Sequence, residues 1–379
     1  MSAAASIVGR HPASGAGISV EIDSGRIAAI RPAEVPEDLW LSPGLVDLQV
    51  NGFGGLDFNA AALAPEQVAE SVAMLARLGT TSFLPTLITA GETQIIAALR
   101  TIAEARRRYP AVARAIPGVH VEGPSISPQD GPRGAHPLGH VRAPDLGEFA
   151  RWQAAGDGLV KLVTLAAEYA EAPAYIGALS AQGVIVSLGH SAATPEQIHA
   201  AVAAGARLST HLGNGVAGTL PRHPNLIWAQ LAEDRLTACF IADGHHLSAD
   251  TLKAMLRAKG CDRSILVSDS VALGGMPPGR YRQPVGGDVE LTADGRIGVA
   301  GTPYLAGAGL PLAADVSRAA VMAGLEPPEV FALATTNPGR LIGGGRLEVG
   351  EVADLVAWRR GPDGALAVVR VWVAGEEVR

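Results

Sequence analysis

Short runs of Val, Ile, Leu and Thr recur along the chain and alternate with stretches of helical periodicity. The runs fall at 45–50, 81–87, 118–121, 160–165, 184–188, 207–210, 236–242 and 264–267. Each is too short for a helix and too uniformly apolar for a strand with one face in water. Such runs suit parallel strands buried on both faces. Helical patterns at 65–78, 92–108, 172–182 and 248–259 separate several of them. Eight such units predict an α/β fold with a parallel sheet, and a closed (β/α)8 TIM-like barrel is its leading form. An open doubly wound sheet is the rival, but no G-x-G-x-x-G turn follows any of the runs.

The two ends are patterned differently. Residues 18–30 alternate about a Ser24-Gly25 turn, and 352–358 and 367–373 read as strands around Gly361-Pro362-Asp363-Gly364. Hairpins flanking a βα core predict a small β-sandwich domain built from residues 1–42 and 343–379. The barrel then spans 43–342. A further hairpin is expected across 288–299, with its turn at Asp294-Gly295.

Apolar residues make up 48% of the 379 and charged residues 18%, which supplies a sizeable core and argues against disorder. The net charge of −7 argues against a nucleic-acid partner and a polybasic membrane anchor. Cys239 and Cys261 are too few for a disulfide framework and read as reduced. The start, Met1 to Arg10, lacks the pattern of a signal peptide, and no apolar stretch reaches the roughly 18 residues of a membrane span. These features predict a cytoplasmic protein acting on a small molecule.

Metal-competent side chains collect at the C-terminal ends of the predicted strands, the face where barrel enzymes carry their active sites. The first strand ends in Asp47, Gln49 and Asn51, the third in His120 and Glu122, the fifth in His190, the sixth in His211 and the eighth in Asp269. One carboxylate and two imidazoles from three strands can hold a divalent ion and leave a position open for water. An unpaired carboxylate beside them can move the water's proton to a leaving nitrogen. Each residue also has a structural reading. A lone strand-end histidine is more often a core residue, Asp269 can cap the next segment, and Glu122-Gly123-Pro124 can be a turn. Convergence on one barrel face favours the metal site.

His136, in a Gly- and Pro-rich loop, either contacts substrate or packs the loop. Of His245 and His246, one is expected to face the site and the other solvent. His11, His140 and His199 read as surface residues. Thr194-Pro195-Glu196-Gln197 is a helix capping box, Arg106 to Arg108 a solvated helix face, and Gly52 to Gly55 a flexible loop, with a phosphate cradle as the alternative.

The motifs resemble those of the N-acetylglucosamine-6-phosphate deacetylases of the amidohydrolase superfamily. They are PGLVDLQVNGFGG at 43–55, LPTLIT at 84–89, GVHVEGPSISPQDGPRGAHP at 118–137, SLGHSAAT at 187–194, STHLGN at 209–214, IADGHH at 241–246, LVSDS at 266–270 and TTNPGR at 335–340. The resemblance implies Glu122, His190 and His211 as ligands of one divalent ion, zinc as the expected metal, and Asp269 as general acid and base. His136 would be a second donor to the reacting oxygen or a sugar contact. Arg222, which can come from a neighbouring subunit of a homodimer, and His246 would bind a phosphate. Ala135, Asn214, Gly215, Ala306 and Gly307 would add loop contacts, and Gln49 and Asn51 would face the substrate. Where many superfamily members carry His-x-His on the first strand this chain has Gln49 and Asn51, which implies a single-metal site.

The chain also departs from the family pattern. The family usually reads His-Leu-aromatic-Asn-Ala-Met where this chain has His211-Leu212-Gly213-Asn214-Gly215-Val216, and Ser270 follows Asp269 in place of Ala. Loss of the aromatic and the methionine predicts a larger or looser pocket wall, and the two glycines a more adaptable loop. The expected activity is removal of the acetyl group from an amino-sugar phosphate. Hydrolysis of another N-acyl sugar or a cyclic amide, or a barrel that only binds, are the alternatives.

Overall fold

The computed structural model describes residues 7–283, 287–302 and 304–378, so residues 1–6 of the expected terminal domain lie outside it. Eight strands pair in chain order: β1 (Leu45–Val50), β2 (Thr80–Ile88), β3 (Val119–Glu122), β4 (Val160–Leu165), β5 (Ile185–Leu188), β6 (Leu208–Ser209), β7 (Thr237–Phe240) and β8 (Ser264–Leu266). Every pairing between neighbours is parallel. The chain after β8 returns to β1. Asp269 N–H donates to the Gln49 carbonyl at 3.0 Å, Asn51 N–H donates to Ser270 at 2.8 Å, and Val50 bridges Ser270 in parallel. The sheet therefore closes at its C-terminal rim into the expected barrel. An open doubly wound sheet would leave β1 and β8 apart.

Each strand boundary lies within two residues of the apolar run that predicts it. Leu48, Leu84, Leu162, Leu208, Cys239 and Ile265, one from each of six strands, form a single buried cluster that fills the barrel. Leu341 and Ile342, at the end of the Thr336–Ile342 helix, pack against it. The surrounding helices bury one stripe each. The Pro65–Arg77 helix buries Val68, Val72 and Leu75, and the Glu92–Arg108 helix buries Ile95, Leu99 and Ile102. These i, i+3 and i+4 spacings are why both segments fold as amphipathic helices on the outer layer. Thr194 caps the Pro195–Ala204 helix through the expected capping box.

Strands from both chain ends make a seven-stranded sheet. Leu39–Pro43 joins the halves by pairing antiparallel with Leu355–Arg360. Val20, Ile27, Leu41, Leu355 and Trp372 lie in its core. The expected hairpin across 288–299 is the centre of a four-stranded antiparallel insert. Its outer strands, Gly279–Gln283 and Leu305–Ala308, were not anticipated from the sequence. Among the described residues no helix is long and apolar enough to cross a membrane.

One buried acid sits outside this logic. Asp315, in the Leu312–Ala323 helix, is fully buried, and neither carboxyl oxygen has a hydrogen-bond partner among the described residues. Burial, reinforced by Asp243 and Asp47, pushes its pKa well above the usual carboxylate value. A folded-state pKa above the unfolded one lowers stability as pH rises between the two. Asp315→Asn removes that dependence. Thermal denaturation should show the variant more stable than wild type by at least about 2 °C at pH 8, and by less at pH 5.

Candidate active site

The strand ends bring three ligand atoms together. Glu122 is the last residue of β3, and His190 and His211 lie two residues beyond β5 and β6. Glu122 Oε1 is 3.1 Å from His211 Nε2 and 3.3 Å from His190 Nε2, and the two imidazole nitrogens are 3.1 Å apart. Bonds of about 2.0–2.1 Å at tetrahedral angles place ligand atoms roughly 3.3–3.4 Å apart, so this triangle has the size a zinc-like ion needs. His190 Nδ1 donates to the Pro132 carbonyl at 2.8 Å, so Nε2 is the nitrogen that would present a lone pair to an ion. His211 Nδ1 is buried without a hydrogen-bond partner among the described residues. Burial works against a charge on Glu122, but hydrogen bonds and charge from His190 and His211 outweigh it and hold its pKa well below the usual value.

Glu122, His136 and His190 also offer ligand atoms within 4.8 Å of one another. That looser set shares two members with the first. His136 Nδ1, however, is engaged by Thr89 Oγ1 at 3.0 Å, and burial, with the charge of His190, pushes its pKa down to about 3. The shorter separations belong to His211.

Backbone conformation serves the same convergence. His190, His211 and Asp269 have φ values of 47°, 28° and 48°, a left-handed region that residues with a Cβ seldom occupy. Three such residues just past three strands turn their side chains over the barrel mouth, and strain of this kind concentrates at functional sites.

Asp269 stands over this triad in a socket of amides. Gln49 Nε2 and Asn51 Nδ2 donate to its Oδ1 at 3.0 and 2.7 Å, and Gln49 Nε2 also lies 3.1 Å from Glu122 Oε1. Burial, with the nearby charge of Glu122, pushes the Asp269 pKa up to about 6. Gln49 does not line the cavity where the sequence analysis placed it against substrate. Its amide lies beneath the floor and bridges two carboxylates. Asp47 and His120, expected at strand ends, lie within β1 and β3 and are core groups. Asp47 accepts from the Gln49 and Ser268 amides, and His120 Nε2 meets Thr164 Oγ1 at 2.8 Å.

The triad opens into a cavity of about 870 Å³. Asn51, Ala135, His136, Asn214, Gly215, His246, Asp269, Ala306 and Gly307 all line it. Arg222 does not. It is exposed on the surface of its own chain. His246 Nδ1 donates to Asp243 Oδ2 at 2.7 Å, while His245 turns away and reaches the Asp294 carbonyl of the insert at 3.2 Å, not solvent. The loop after His211 is tighter than its glycines suggest. A Cβ on Gly215 would sit 2.9 Å from the His190 ring, and one on Gly213 would sit 2.9 Å from Leu247 and 3.3 Å from Met255. Leu247 and Met255 fill that side, so part of the room expected there is taken.

The amidohydrolase family matches residues 40–378. The chain belongs to the amidohydrolase family. An N-acetylgalactosamine-6-phosphate deacetylase of Escherichia coli O157:H7 is 33% identical to this amidohydrolase over 371 residues, covering 94% of this chain and 93% of the relative. The human N-acetylglucosamine-6-phosphate deacetylase is 34% identical over 89% of this chain and 83% of its own length. Among solved structures, N-acetyl-D-glucosamine-6-phosphate deacetylase from Mycobacterium smegmatis superposes with a TM-score of 0.85 at 32% identity, covering 96% of each chain. Membership makes this chain a hydrolytic enzyme and implies a metal ion. The donor set fits one, since a carboxylate and two imidazoles oriented by the surrounding structure are borderline ligands for a divalent ion.

Three contributors to the amidohydrolase site were missed in the sequence: Thr89, Asp243 and the Pro132 carbonyl. Thr89 and Asp243 lie inside the LPTLIT and IADGHH motifs, which was the available signal. Nothing in the sequence marks a backbone carbonyl.

Proposed function

We propose that this amidohydrolase removes the N-acetyl group from an amino-sugar phosphate, N-acetylglucosamine 6-phosphate being the leading substrate. The single observation that carries the reading is the convergence of Glu122, His190 and His211 within 3.1–3.3 Å beneath Asp269. Relatives named for this chemistry at 31–36% identity over most of the chain support the substrate class. Glu122, His190 and His211 would hold one divalent ion, zinc by the nature of the donors. When bound, such an ion polarises the amide carbonyl and lowers the pKa of water.

The chain's own groups do the rest. Asp269 takes the proton of the attacking water and returns it to the leaving nitrogen, so acetate and the free amine part. Gln49 and Asn51 hold Asp269 Oδ1 and so present Oδ2 to the reaction. His136 is neutral. Its Nδ1 meets Thr89 Oγ1 at 3.0 Å, and in the tautomer that carries the proton on Nε2 that N–H serves the carbonyl oxygen as negative charge grows there. His246 meets the phosphate, and Asn51, Ala135, Asn214, Gly215, Ala306 and Gly307 shape the sugar site. Arg222 would complete the site of a neighbouring copy in a cytoplasmic homodimer, consistent with its exposure on its own chain. Residues 43–342 form the catalytic barrel in this reading, with residues 1–42 and 343–379 as the small β-domain.

The relative from Escherichia coli O157:H7 favours a second reading in which the sugar is the galactose epimer. Acetate release from both phosphorylated epimers and from unphosphorylated N-acetylglucosamine tests both readings. The proposal predicts kcat/KM at least about 100-fold higher with the phosphate than without, the scale of one or two charge-assisted contacts. Equal rates with and without it would defeat the phosphate assignment.

A further inference from the structure

We propose that Asp243 is a positioning residue that fixes His246 as a singly oriented donor to the substrate's phosphate, an inference that rests on the phosphate reading above. Asp243 lies just beyond β7 and is 1% exposed. Its Oδ1 accepts the backbone N–H groups of His245 and His246 at 2.8 and 2.9 Å, and its Oδ2 accepts from His246 Nδ1 at 2.7 Å. Gly244, with φ of 75°, makes the turn that lets one carboxylate reach all three donors. Arg318 donates to the Asp243 carbonyl and anchors the loop from the Leu312–Ala323 helix.

The chemistry of the pair follows from these contacts. A carboxylate only accepts, so His246 Nδ1 must carry the proton. Burial raises the pKa of Asp243, but the bond and charge of His246 and the two backbone amides outweigh it and hold it at about 2, so the carboxylate is ionised. A ring flip would set a C–H against Oδ2, so Nε2 alone is left for the cavity that His246 lines. An anion placed there is met by the second N–H of an imidazolium whose charge Asp243 balances from behind. The carboxylate thus fixes the direction of the donor without touching the substrate.

Asp243→Asn separates this role from loop folding. The Asn oxygen keeps both backbone amides. Its NH2 group faces Nδ1, forces the ring proton onto Nε2 and excludes the doubly protonated ring. In the metal-loaded enzyme the ratio of kcat/KM for N-acetylglucosamine 6-phosphate over N-acetylglucosamine should fall roughly 10-fold in the variant. An equal loss on both sugars would overturn the inference, since that is what a merely structural role gives. A wild type that does not discriminate between the sugars would instead remove the phosphate reading, and this inference with it. Nitrogen-15 spectra of wild-type His246 with inorganic phosphate need no variant. Two protonated ring nitrogens are expected, and one would overturn the proposal. If Asp243→Asn does not fold, Asp243→Glu, which keeps the charge, should retain most of the discrimination, and its loss would count against the role.

Discussion

Asp269→Asn should leave the enzyme folded and metal-loaded and lower kcat by about 1,000-fold, within the range for removing a general acid–base group. The substitution is nearly isosteric. Gln49 and Asn51 donate to Oδ1 in the native socket, and the Asn oxygen accepts the same two bonds. The group turned to the cavity then becomes an NH2, which cannot take a proton from water. The triad of Glu122, His190 and His211 is untouched, so metal content should stay near that of wild type. Steady-state acetate release with metal analysis of the same sample checks this. A kcat within 10-fold of wild type would remove Asp269 from its assigned role.

His211→Ala should have the second large effect, by a different route. It deletes one of three ligand atoms and leaves Glu122 buried with His190 and Gln49 as its remaining partners. Two ligands hold a divalent ion far less well than three, and a loss of at least about 100-fold in affinity is expected. Gel-filtered variant should carry little metal, and its kcat/KM at limiting metal should fall by at least about 1,000-fold. Excess zinc should restore only part of it. Full metal content with lost turnover would point to a role for His211 other than ligation. The same substitution at His136 should leave metal content intact, because Thr89 holds its Nδ1 and the shorter separations are those among Glu122, His190 and His211.

The fold was legible where the chain repeats one device. Buried parallel strands need uninterrupted apolar runs, and all eight were found, including β6, which is only two residues long. The first outer strand of the insert escaped because Gly-Arg-Tyr-Arg-Gln at 279–283 is polar, with half-buried or exposed residues throughout. Leu39–Pro43 escaped because a short segment between Pro36 and Pro43 has no periodicity to read. Its place is set by pairing with residues more than 300 positions later.

The site divides in the same way. Glu122, His190, His211 and Asp269 were legible because their chemistry and their strand-end positions are both sequence properties. Gln49 was assigned to the substrate because its destination depends on β1 lying beside β8, a consequence of barrel closure that no local pattern encodes. The left-handed backbone at His190, His211 and Asp269 was equally hidden, since nothing in the residue types predicts it. Arg222 remains apart from the cavity within one chain, and a single sequence does not say where a second copy would sit.

The central claim is deacetylation at a single-metal site. Its most direct measurement is acetate release from N-acetylglucosamine 6-phosphate by metal-free protein titrated with zinc. Activity should be absent without metal, rise in proportion to zinc and level off at one equivalent per chain. Acetate release by the metal-free protein, or a plateau only at two equivalents, would contradict the account.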